Sequence, residues 1–358
     1  MGIFRRFLLI CAIGLSVVAP AARAAQAAPI EVRLVIVTAF EIGADTGDRA
    51  GEFQAWAETM PEVLPFPAGF RDLRYDAKRE VLLLHTGIGT SRAAASVTAL
   101  GMDPRFDLSH AYWLVAAIAG VDPATASVGS AAWIGDIVDT DYGYAVDPRE
   151  APAGWSTGMF PRDRAEPYLG PRGDPQYNLF ALNKPLRDWA YALTRDIPLA
   201  DSEALQSIRA PYSQYSAARR PPHVLKGAEA SGQTFWHGTL LNDHVRRWVR
   251  YWTDGGEPFV MTGMEDTGVA GALHMLGRTG RVDPARLLVL RTGSNYSVPP
   301  PGVGAAQSLT AEAKGLSALQ PSLDAAFLVG GRVVDEITVH WSRYRDRLPG
   351  AVTEAPAE

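Results

Sequence analysis

Short apolar runs that end in glycine or polar turns recur along this chain, and their alternation with helical segments constrains the fold most. The runs cover residues 32–38, 80–86, 111–119 and 287–292. A helical segment over 91–100 follows the second run, and an alanine-rich helix over about 269–278 precedes the last one. The run at 111–119 is apolar at successive positions, which suits a strand covered on both faces. The sequence therefore predicts an α/β fold with a mixed, largely parallel sheet.

The N-terminal residues have the composition of a secretory signal peptide. Arg5 and Arg6 give a positive start, residues 7–18 form an apolar run, and Ala22-Arg23-Ala24 provides a small-x-small cleavage site. This pattern predicts a signal peptide over residues 1–27, which would place the mature chain in the periplasm or outside the cell. The alternative is an uncleaved N-terminal anchor, although the run is shorter than the ~20 apolar residues that a spanning helix needs.

Composition restricts what the mature chain can bind. The net charge of −5 indicates neither a nucleic-acid surface nor a polybasic membrane face. No later stretch approaches spanning length without a charge, proline or glycine, so we expect no membrane span in the mature chain. Cys11 is the only cysteine and lies in the predicted signal peptide, which excludes disulfides, cysteine-based metal sites and cysteine nucleophiles from the mature protein.

One long irregular segment interrupts the regular pattern. Residues 142–176 are rich in Pro, Gly, Tyr and Asp and lack periodicity, which is typical of a lid, a binding loop or a surface insertion. They lead into a predicted helix over 183–195, which Asn183 can cap and in whose first turn Pro185 fits. We expect a single domain over residues 28–348 and a frayed tail over 349–358.

Two glycine-containing segments follow the first two predicted strands and offer polar groups to a ligand. Residues 40–53 hold four acids and an arginine around three glycines, and Glu41 and Arg49 are candidate binding residues there. The acid spacing does not match a calcium loop, so we expect no metal, and a hydrogen-bonded turn is the alternative. Near Gly89 and Arg92, backbone N–H groups at the helix start could hold a phosphate or sugar oxygen, or the glycines could serve a tight turn alone.

Two later segments combine aromatic, acidic and amide side chains. Phe235 and Trp236 lie in a glycine-bounded loop where one ring could stack on a base and His237 could hydrogen-bond it or donate a proton; core packing is the alternative. Glu265 stands at a predicted strand end, and one carboxylate can accept both hydroxyls of a ribose diol. Asn295 ends the next strand, and its amide suits the N7 edge of a purine, where charge develops as a glycosidic bond breaks.

Taken in order, these segments resemble those of the nucleoside phosphorylase and nucleosidase superfamily. The shared pattern comprises Gly87-Ile88-Gly89, Ile118-Ala119-Gly120, a Ser-Gly-x-x-Phe loop ending at Phe235, Met264-Glu265, and Arg291 followed by Ser294-Asn295. Within the superfamily the chain is most similar to the purine nucleoside permease family, over about residues 32–345. That similarity is carried by Phe40-Glu41-Ile42-Gly43, Asp45-Thr46-Gly47-Asp48-Arg49, Gly51-Glu52-Phe53, Phe235-Trp236-His237-Gly238 and Met264-Glu265-Asp266-Thr267.

The resemblance implies a three-layer α/β/α fold and a purine nucleoside as ligand. Phe235 would stack on the purine, Glu265 would bind the ribose hydroxyls and Met264 would pack on the sugar. Asn295 takes the place of a catalytic aspartate of the nucleosidases, so protonation of the leaving base would need His237 or Asp266. The candidates for a phosphate site are Arg49, Arg92 and Arg291, with inorganic phosphate as a co-substrate and no other cofactor.

The resemblance leaves three functions open. The first is an enzyme that splits purine nucleosides by phosphorolysis or hydrolysis for uptake or salvage. The second is a binding protein that supports nucleoside transport without cleaving its ligand, and the third is a catalytically inactive relative. Proteins of this fold commonly assemble as dimers, trimers or hexamers, and the resemblance leaves a homo-oligomer open.

Overall fold

The computed structural model describes residues 28–314 and 318–350, so the predicted signal peptide over 1–27 and residues 351–358 of the predicted tail lie outside the described residues. The strands there are β1 Ile30–Glu31, β2 Leu34–Thr38, β3 Glu62–Leu64, β4 Leu73–Asp76, β5 Val81–His85, β6 Phe106–Asp107, β7 Tyr112–Val121, β8 Ala131–Asp139, β9 Tyr144–Ala145, β10 Met159–Phe160, β11 Leu179–Ala181, β12 Val224–Ser231, β13 Phe259–Gly263 and β14 Leu287–Tyr296. The helices are α1 Gln54–Ala57, α2 Thr90–Gly101, α3 Lys184–Thr194, α4 Glu203–Arg209, α5 Thr239–Trp252, α6 Asp266–Gly277, α7 Ala305–Lys314, α8 Leu319–Val339 and α9 Trp341–Tyr344, with a 3-10 turn at Pro284–Arg286.

The elements predicted from periodicity are confirmed, with differences at their ends. The four apolar runs form β2, β5, β7 and β14, and the two predicted helices that follow or precede them form α2 and α6. Helix α3 begins as the sequence predicts, because the Asn183 side chain accepts a hydrogen bond from the N–H of Leu186 at 3.2 Å and Pro185 lies in the first turn. Strand β14 continues past its predicted end to Tyr296, since it stays paired with β7 as far as Val121.

A ten-stranded mixed sheet organises the described part of the domain. Its order is β11-β8-β12-β13-β7-β2-β5-β4-β3, and β14 pairs with both β7 and β8. Strands β7, β14, β8, β12 and β13 therefore close into a ring, in which β7 and β13 share the registered pair Val121 and Met261.

The sheet is less parallel than the sequence predicts. Of its ten pairings among described residues, five are parallel and five antiparallel. The antiparallel pairs lie along the edge β3-β4-β5, at β11 and at the two junctions of the ring, β14 with β8 and β13 with β7. Short apolar runs alone do not reveal strand direction, which is why the sequence overestimates the parallel share.

Helices cover both faces of the sheet, which gives the three layers that the resemblance implies. On β2, Val35 and Val37 belong to the core that also contains α2 and α6, whereas Leu34 and Ile36 belong to the core that contains α1, α3 and α8. Successive side chains of a strand point to opposite faces, so a strand between two helical layers must be apolar throughout. The unbroken apolar runs of the sequence follow from this arrangement.

The irregular segment 142–176 packs on α5. Its Tyr168 Oη lies 2.5 Å from Nδ1 of His244, and the guanidinium of Arg247 lies over the Tyr168 ring at 4.9 Å. No residue of the segment lines the main cavity of the domain. Within residues 28–314 and 318–350, no helix has the length and apolar character needed to cross a membrane.

Candidate functional site

A cavity of about 300 Å³ opens where β2, β7, β13 and β14 end and α2 and α6 begin. Apolar side chains form most of its wall, namely Ala39, Phe40, Ile88, Ile118, Ala119, Phe235 and Met264. The polar and charged side chains that face it are Glu52, Thr262, Glu265, Arg291, Ser294 and Asn295. A largely apolar concavity with a few convergent polar groups is the usual form of a small-molecule site.

Glu265 presents its carboxylate to the cavity from the N-terminal end of α6. Its Oε1 accepts a hydrogen bond from the N–H of Gly89 at 3.0 Å, and its Oε2 accepts from Nη2 of Arg291 at 2.9 Å and from the N–H of Met264 at 3.3 Å. Gly89 has φ +103°, and a Cβ there would lie 2.2 Å from Nε2 of Gln233, so glycine is required for this contact. Because a carboxylate has about four acceptor sites and three are engaged, Glu265 keeps capacity for about one hydroxyl donor from the cavity.

Arg291 is the buried cation that fixes Glu265. Its Nε donates to Oδ2 of Asp266 at 2.8 Å, and its Nη1 donates to the carbonyl of Ile118 at 2.9 Å, so each of its three nitrogens is engaged within the protein. Burial opposes the charge, but the carboxylates of Asp266 and Glu265 raise the pKa of Arg291 well above its usual value. The guanidinium therefore serves as a permanent internal cation.

Glu52 reaches the cavity from the segment before α1. Its Oε2 accepts from the N–H of Ala39 and its Oε1 from the N–H of Ile118, both at 2.7 Å, so the side chain joins the ends of β2 and β7. Burial and the negative charge of Glu265 raise the pKa of Glu52 to about 8, against the lowering effect of Arg291 and of the two backbone N–H groups. Glu52 is therefore mostly protonated at neutral pH.

Asn295 and an aromatic loop complete the lining. Oδ1 of Asn295 accepts from the Ser294 hydroxyl at 3.1 Å, and its Nδ2 donates to the carbonyl of Tyr296 at 3.2 Å. Phe235 lines the same cavity and is half exposed, so one face of its ring is available for stacking. Trp236 lines a smaller adjoining cleft together with Phe235 and Asn295.

The structure brings about half of the sequence-predicted site residues around this single cavity. Those that line it are Phe235, Met264, Glu265, Arg291, Ser294 and Asn295, and Gly89 contributes through its N–H. The cavity thus gathers residues from segments far apart in the chain, as expected for strand ends that meet at one edge of a sheet.

Two predicted residues of the first glycine-rich segment lie away from the cavity. The Glu41 carboxylate accepts hydrogen bonds from the N–H groups of Ile42, Gly51 and Gln54, so it closes its own loop instead of facing a ligand. Arg49 is exposed on that loop and does not line the cavity.

Three more predicted residues also lie outside the lining. Arg92 is exposed on α2 and donates to the carbonyl of Ile88 at 3.0 Å. His237 is buried against α7, with Nε2 3.0 Å from Oγ of Ser308, and burial lowers its pKa. Asp266 lies behind Arg291, fully buried, where it can act on the cavity only through that guanidinium.

Sequence reasoning missed two acids of the site, Glu52 and Glu229. Glu52 stood in a recognised motif, but four acids share that segment and the sequence does not reveal which one turns inward. Glu229 is fully buried on β12, with Oε1 3.9 Å from Nε of Arg291, and its signal was a lone glutamate within a run of small residues. In the described part of the chain, no group of three or more His, Cys, Asp or Glu residues is arranged to hold a metal ion.

The chain is similar to known purine nucleoside permeases. The sequence profile of the purine nucleoside permease family matches residues 31–349. A probable purine nucleoside permease of Schizosaccharomyces pombe is 30% identical over 306 residues, which cover 81% of this chain and 87% of that protein. A purine nucleoside permease of Candida albicans is 26% identical over 312 residues, which cover 86% of this chain and 75% of that protein.

A solved structure shares the fold. The 5'-methylthioadenosine/S-adenosylhomocysteine nucleosidase of Colwellia psychrerythraea, crystallised with adenine, superposes with a TM-score of 0.50 at 17% identity. The superposition covers 90% of this chain and 97% of that one. At this identity the likeness concerns the fold alone.

Proposed function

Because the chain belongs to the purine nucleoside permease family, as its motifs predict, we propose that it binds a purine nucleoside in this cavity and cleaves its N-glycosidic bond. The base stacks on Phe235, a ribose hydroxyl donates to the remaining acceptor site of Glu265, and Met264 packs on the sugar. The observation that supports this most directly is that a half-exposed aromatic ring and a carboxylate fixed by Arg291 face the same cavity.

Water is the nucleophile that the lining favours over phosphate. Each nitrogen of Arg291 already donates to a protein acceptor, Arg49 and Arg92 lie outside the lining, and an incoming anion would meet the carboxylate of Glu265. In hydrolysis, the water oxygen bonds to the anomeric carbon as the bond to the base breaks, and the electron pair leaves with the base.

Glu52 and Asn295 have different roles in the proposed reaction. Ionised Glu52 takes the proton of the attacking water, and a pKa of about 8 brings that group close to the range in which general bases work best. The Asn295 amide donates a hydrogen bond to N7 of the purine and stabilises the departing base, which then takes its proton from solvent.

A nucleoside-binding protein without turnover is the second candidate, and Asn295 is the observation that favours it. An amide cannot donate a proton to the leaving base, and general acid catalysis is typically worth about 10²- to 10⁴-fold in rate. In this alternative the nucleoside stays intact and the protein supports its transport.

The decisive experiment incubates residues 28–358 with adenosine, inosine or guanosine, with and without phosphate, and separates free base by chromatography. Calorimetry on the same samples measures binding. We expect base release that does not require phosphate, that falls at least about 100-fold in Glu265→Ala, and that is unchanged in the exposed control Arg92→Ala.

The other outcomes separate the candidates. Base release only in the presence of phosphate would contradict hydrolysis. Tight binding without release under any condition would support the second candidate, and neither binding nor release would refute both.

We also propose that the chain is exported through its N-terminal signal peptide and acts in the periplasm or outside the cell on nucleosides destined for uptake. The support is the charge and apolar pattern of residues 1–27. N-terminal sequencing of the protein from the exported fraction should give a start near residue 25 or 28. A membrane-bound protein with an intact N-terminus would instead establish an uncleaved anchor.

A further inference from the structure

Two buried carboxyl groups behind the cavity lack the hydrogen bonds that their burial requires. Both side-chain oxygens of Glu229 and Oδ1 of Asp266 are inaccessible to solvent and have no hydrogen-bond partner among the described residues. Buried polar groups are almost always hydrogen-bonded, because an unpaired one loses its hydration without compensation. Both groups lie near Nε of Arg291, Asp266 at 2.8 Å and Glu229 at 3.9 Å, so they are neighbours, yet two ionised carboxylates have no proton to share.

Within residues 28–314 and 318–350, no donor hydrogen-bonds the Glu229 carboxyl group. Arg291 directs its Nε to Asp266, its Nη1 to a backbone carbonyl and its Nη2 to Glu265, and its nearest approach to Glu229 is 3.9 Å. From β13, the backbone of Gly263 packs directly on the carboxyl group, since a Cβ there would lie 1.9 Å from Oε1 of Glu229. The charged groups that face Glu229 are thus Arg291 from β14 and Asp266 and Glu265 from α6.

The charges around Glu229 also favour its protonated form. Three buried acids surround one guanidinium, so full ionisation would leave excess negative charge in a region shielded from solvent. Burial and the charge of Asp266 raise the pKa of Glu229 well above its ordinary value, and Arg291 only partly offsets this. A protonated Glu229 relieves the charge and supplies the missing hydrogen at once.

We infer that Glu229 carries a proton, donates it in a hydrogen bond to Oδ1 of Asp266, and thereby acts as a positioning residue for the ligand-binding carboxylate. The hydrogen bond holds Asp266 with Oδ2 on Nε of Arg291, and this orients Nη2 of the same guanidinium toward Glu265. Glu229 does not line the cavity, so its effect on a ligand passes through Asp266, Arg291 and Glu265. The expected effect on nucleoside affinity rests on the proposed function, whereas the proton on Glu229 does not.

Infrared difference spectroscopy on the unliganded protein tests the proton directly. At pH 7, Glu229→Gln should lose a carbonyl band of a protonated carboxyl group, a band that shifts in heavy water. Glu52→Gln is the matched control, because it removes a different buried carboxyl and should remove a separate band. If Glu229→Gln fails to fold, Glu229→Met gives the same readout. An unchanged protonated-carboxyl region in the Glu229 variant would overturn the inference.

Nucleoside affinity tests the positioning role. Glutamine supplies an N–H to Asp266 without titrating, so Glu229→Gln should bind within about threefold of wild type at pH 7, whereas Glu229→Leu leaves Asp266 unpaired and should bind about 10- to 100-fold more weakly. As the pH rises and the proton leaves Glu229, the wild type should lose affinity, and Glu229→Gln should lose less. Glu52 titrates in both proteins, so the difference between their pH profiles isolates Glu229.

Failure of the positioning role and failure of the proposed function give different results. Equal affinities in wild type, Glu229→Gln and Glu229→Leu, or identical pH profiles in wild type and Glu229→Gln, would overturn the positioning role. A protein that binds no nucleoside at all would refute the proposed function, and the infrared result would still decide whether Glu229 holds the proton.

Discussion

The substitution Glu52→Gln should remove a loss of stability at rising pH that the burial of this carboxyl imposes. Burial and the charge of Glu265 raise the pKa of Glu52 from 4.5 to about 8. A shift of this size corresponds to about 5 kcal/mol of free energy between the folded and unfolded states. Because the raised pKa belongs to the folded state, stability is full below the unfolded value of 4.5 and declines as the pH rises toward 8.

The variant adds an offset that does not depend on pH. A glutamine amide can accept from only one of the two backbone N–H groups, those of Ala39 and Ile118, that the carboxyl satisfies. The unsatisfied contact should cost about 1–3 kcal/mol at every pH. We therefore expect Glu52→Gln to be less stable than wild type at pH 5, and the difference to move in the variant's favour by about 3–4 kcal/mol between pH 5 and pH 8.

Urea unfolding followed by tryptophan fluorescence, at pH 5, 6, 7 and 8, measures this difference in the free energy of unfolding. The matched control is Glu58→Gln, which neutralises an exposed acid at the C-terminal end of α1 and should show no such trend. A difference between wild type and Glu52→Gln that stays constant across the range would refute the reasoning, since it would mean that folding leaves the proton affinity of Glu52 unaltered.

Further predictions concern the ligand. Phe235→Ala should weaken nucleoside binding about 10- to 100-fold by calorimetry, because a stacked base contributes about 1–3 kcal/mol, while melting changes little since the ring is half exposed. Gly89→Ala should lower affinity at least about tenfold, because the side chain forces the N–H away from Glu265; unaltered affinity would contradict that contact. Arg49→Ala should leave base release unchanged with or without phosphate, and a loss confined to phosphate buffer would disprove the assignment of water as nucleophile. Base release should rise between pH 6 and 8 as Glu52 ionises, and a pH-independent rate would remove Glu52 from the role of base.

The sequence predicts the fold and the central residues of the cavity lining. Both depend on sequence patterns within the strands and at their ends. Phe235, Glu265 and Asn295 each follow or end an apolar run, and such ends must meet at one edge of a sheet. Strand direction in the ring could not be predicted in this way, since β13 and β14 carry the same apolar signal whether they run parallel or antiparallel to their neighbours.

The sequence could not predict the roles of residues that depend on a folded loop or on a partner distant in the chain. Glu41 and Glu52 are acids of one segment, yet the loop turns Glu41 onto its own backbone and Glu52 into the cavity. In the sequence, Arg291 is a candidate for binding an anion. In the structure, its guanidinium instead donates hydrogen bonds to the adjacent acids Glu265 and Asp266. Whether a cation is available to a ligand depends on such three-dimensional neighbours, which no local pattern encodes.

The way Arg291 is anchored also makes cavity formation a late event in folding. Its Nη1 bonds to Ile118, a partner 173 residues earlier in the chain, and β14 closes the ring only when it pairs with β7 and β8. Contacts so distant in sequence must overcome the entropy of closing a long loop, so they tend to form after local helices and hairpins. Until β14 is in place, a folding intermediate can possess helices and a collapsed core, but it has no fixed carboxylate to offer a ligand. Ligand binding by this chain is therefore a measure of completed topology, and not merely of compactness.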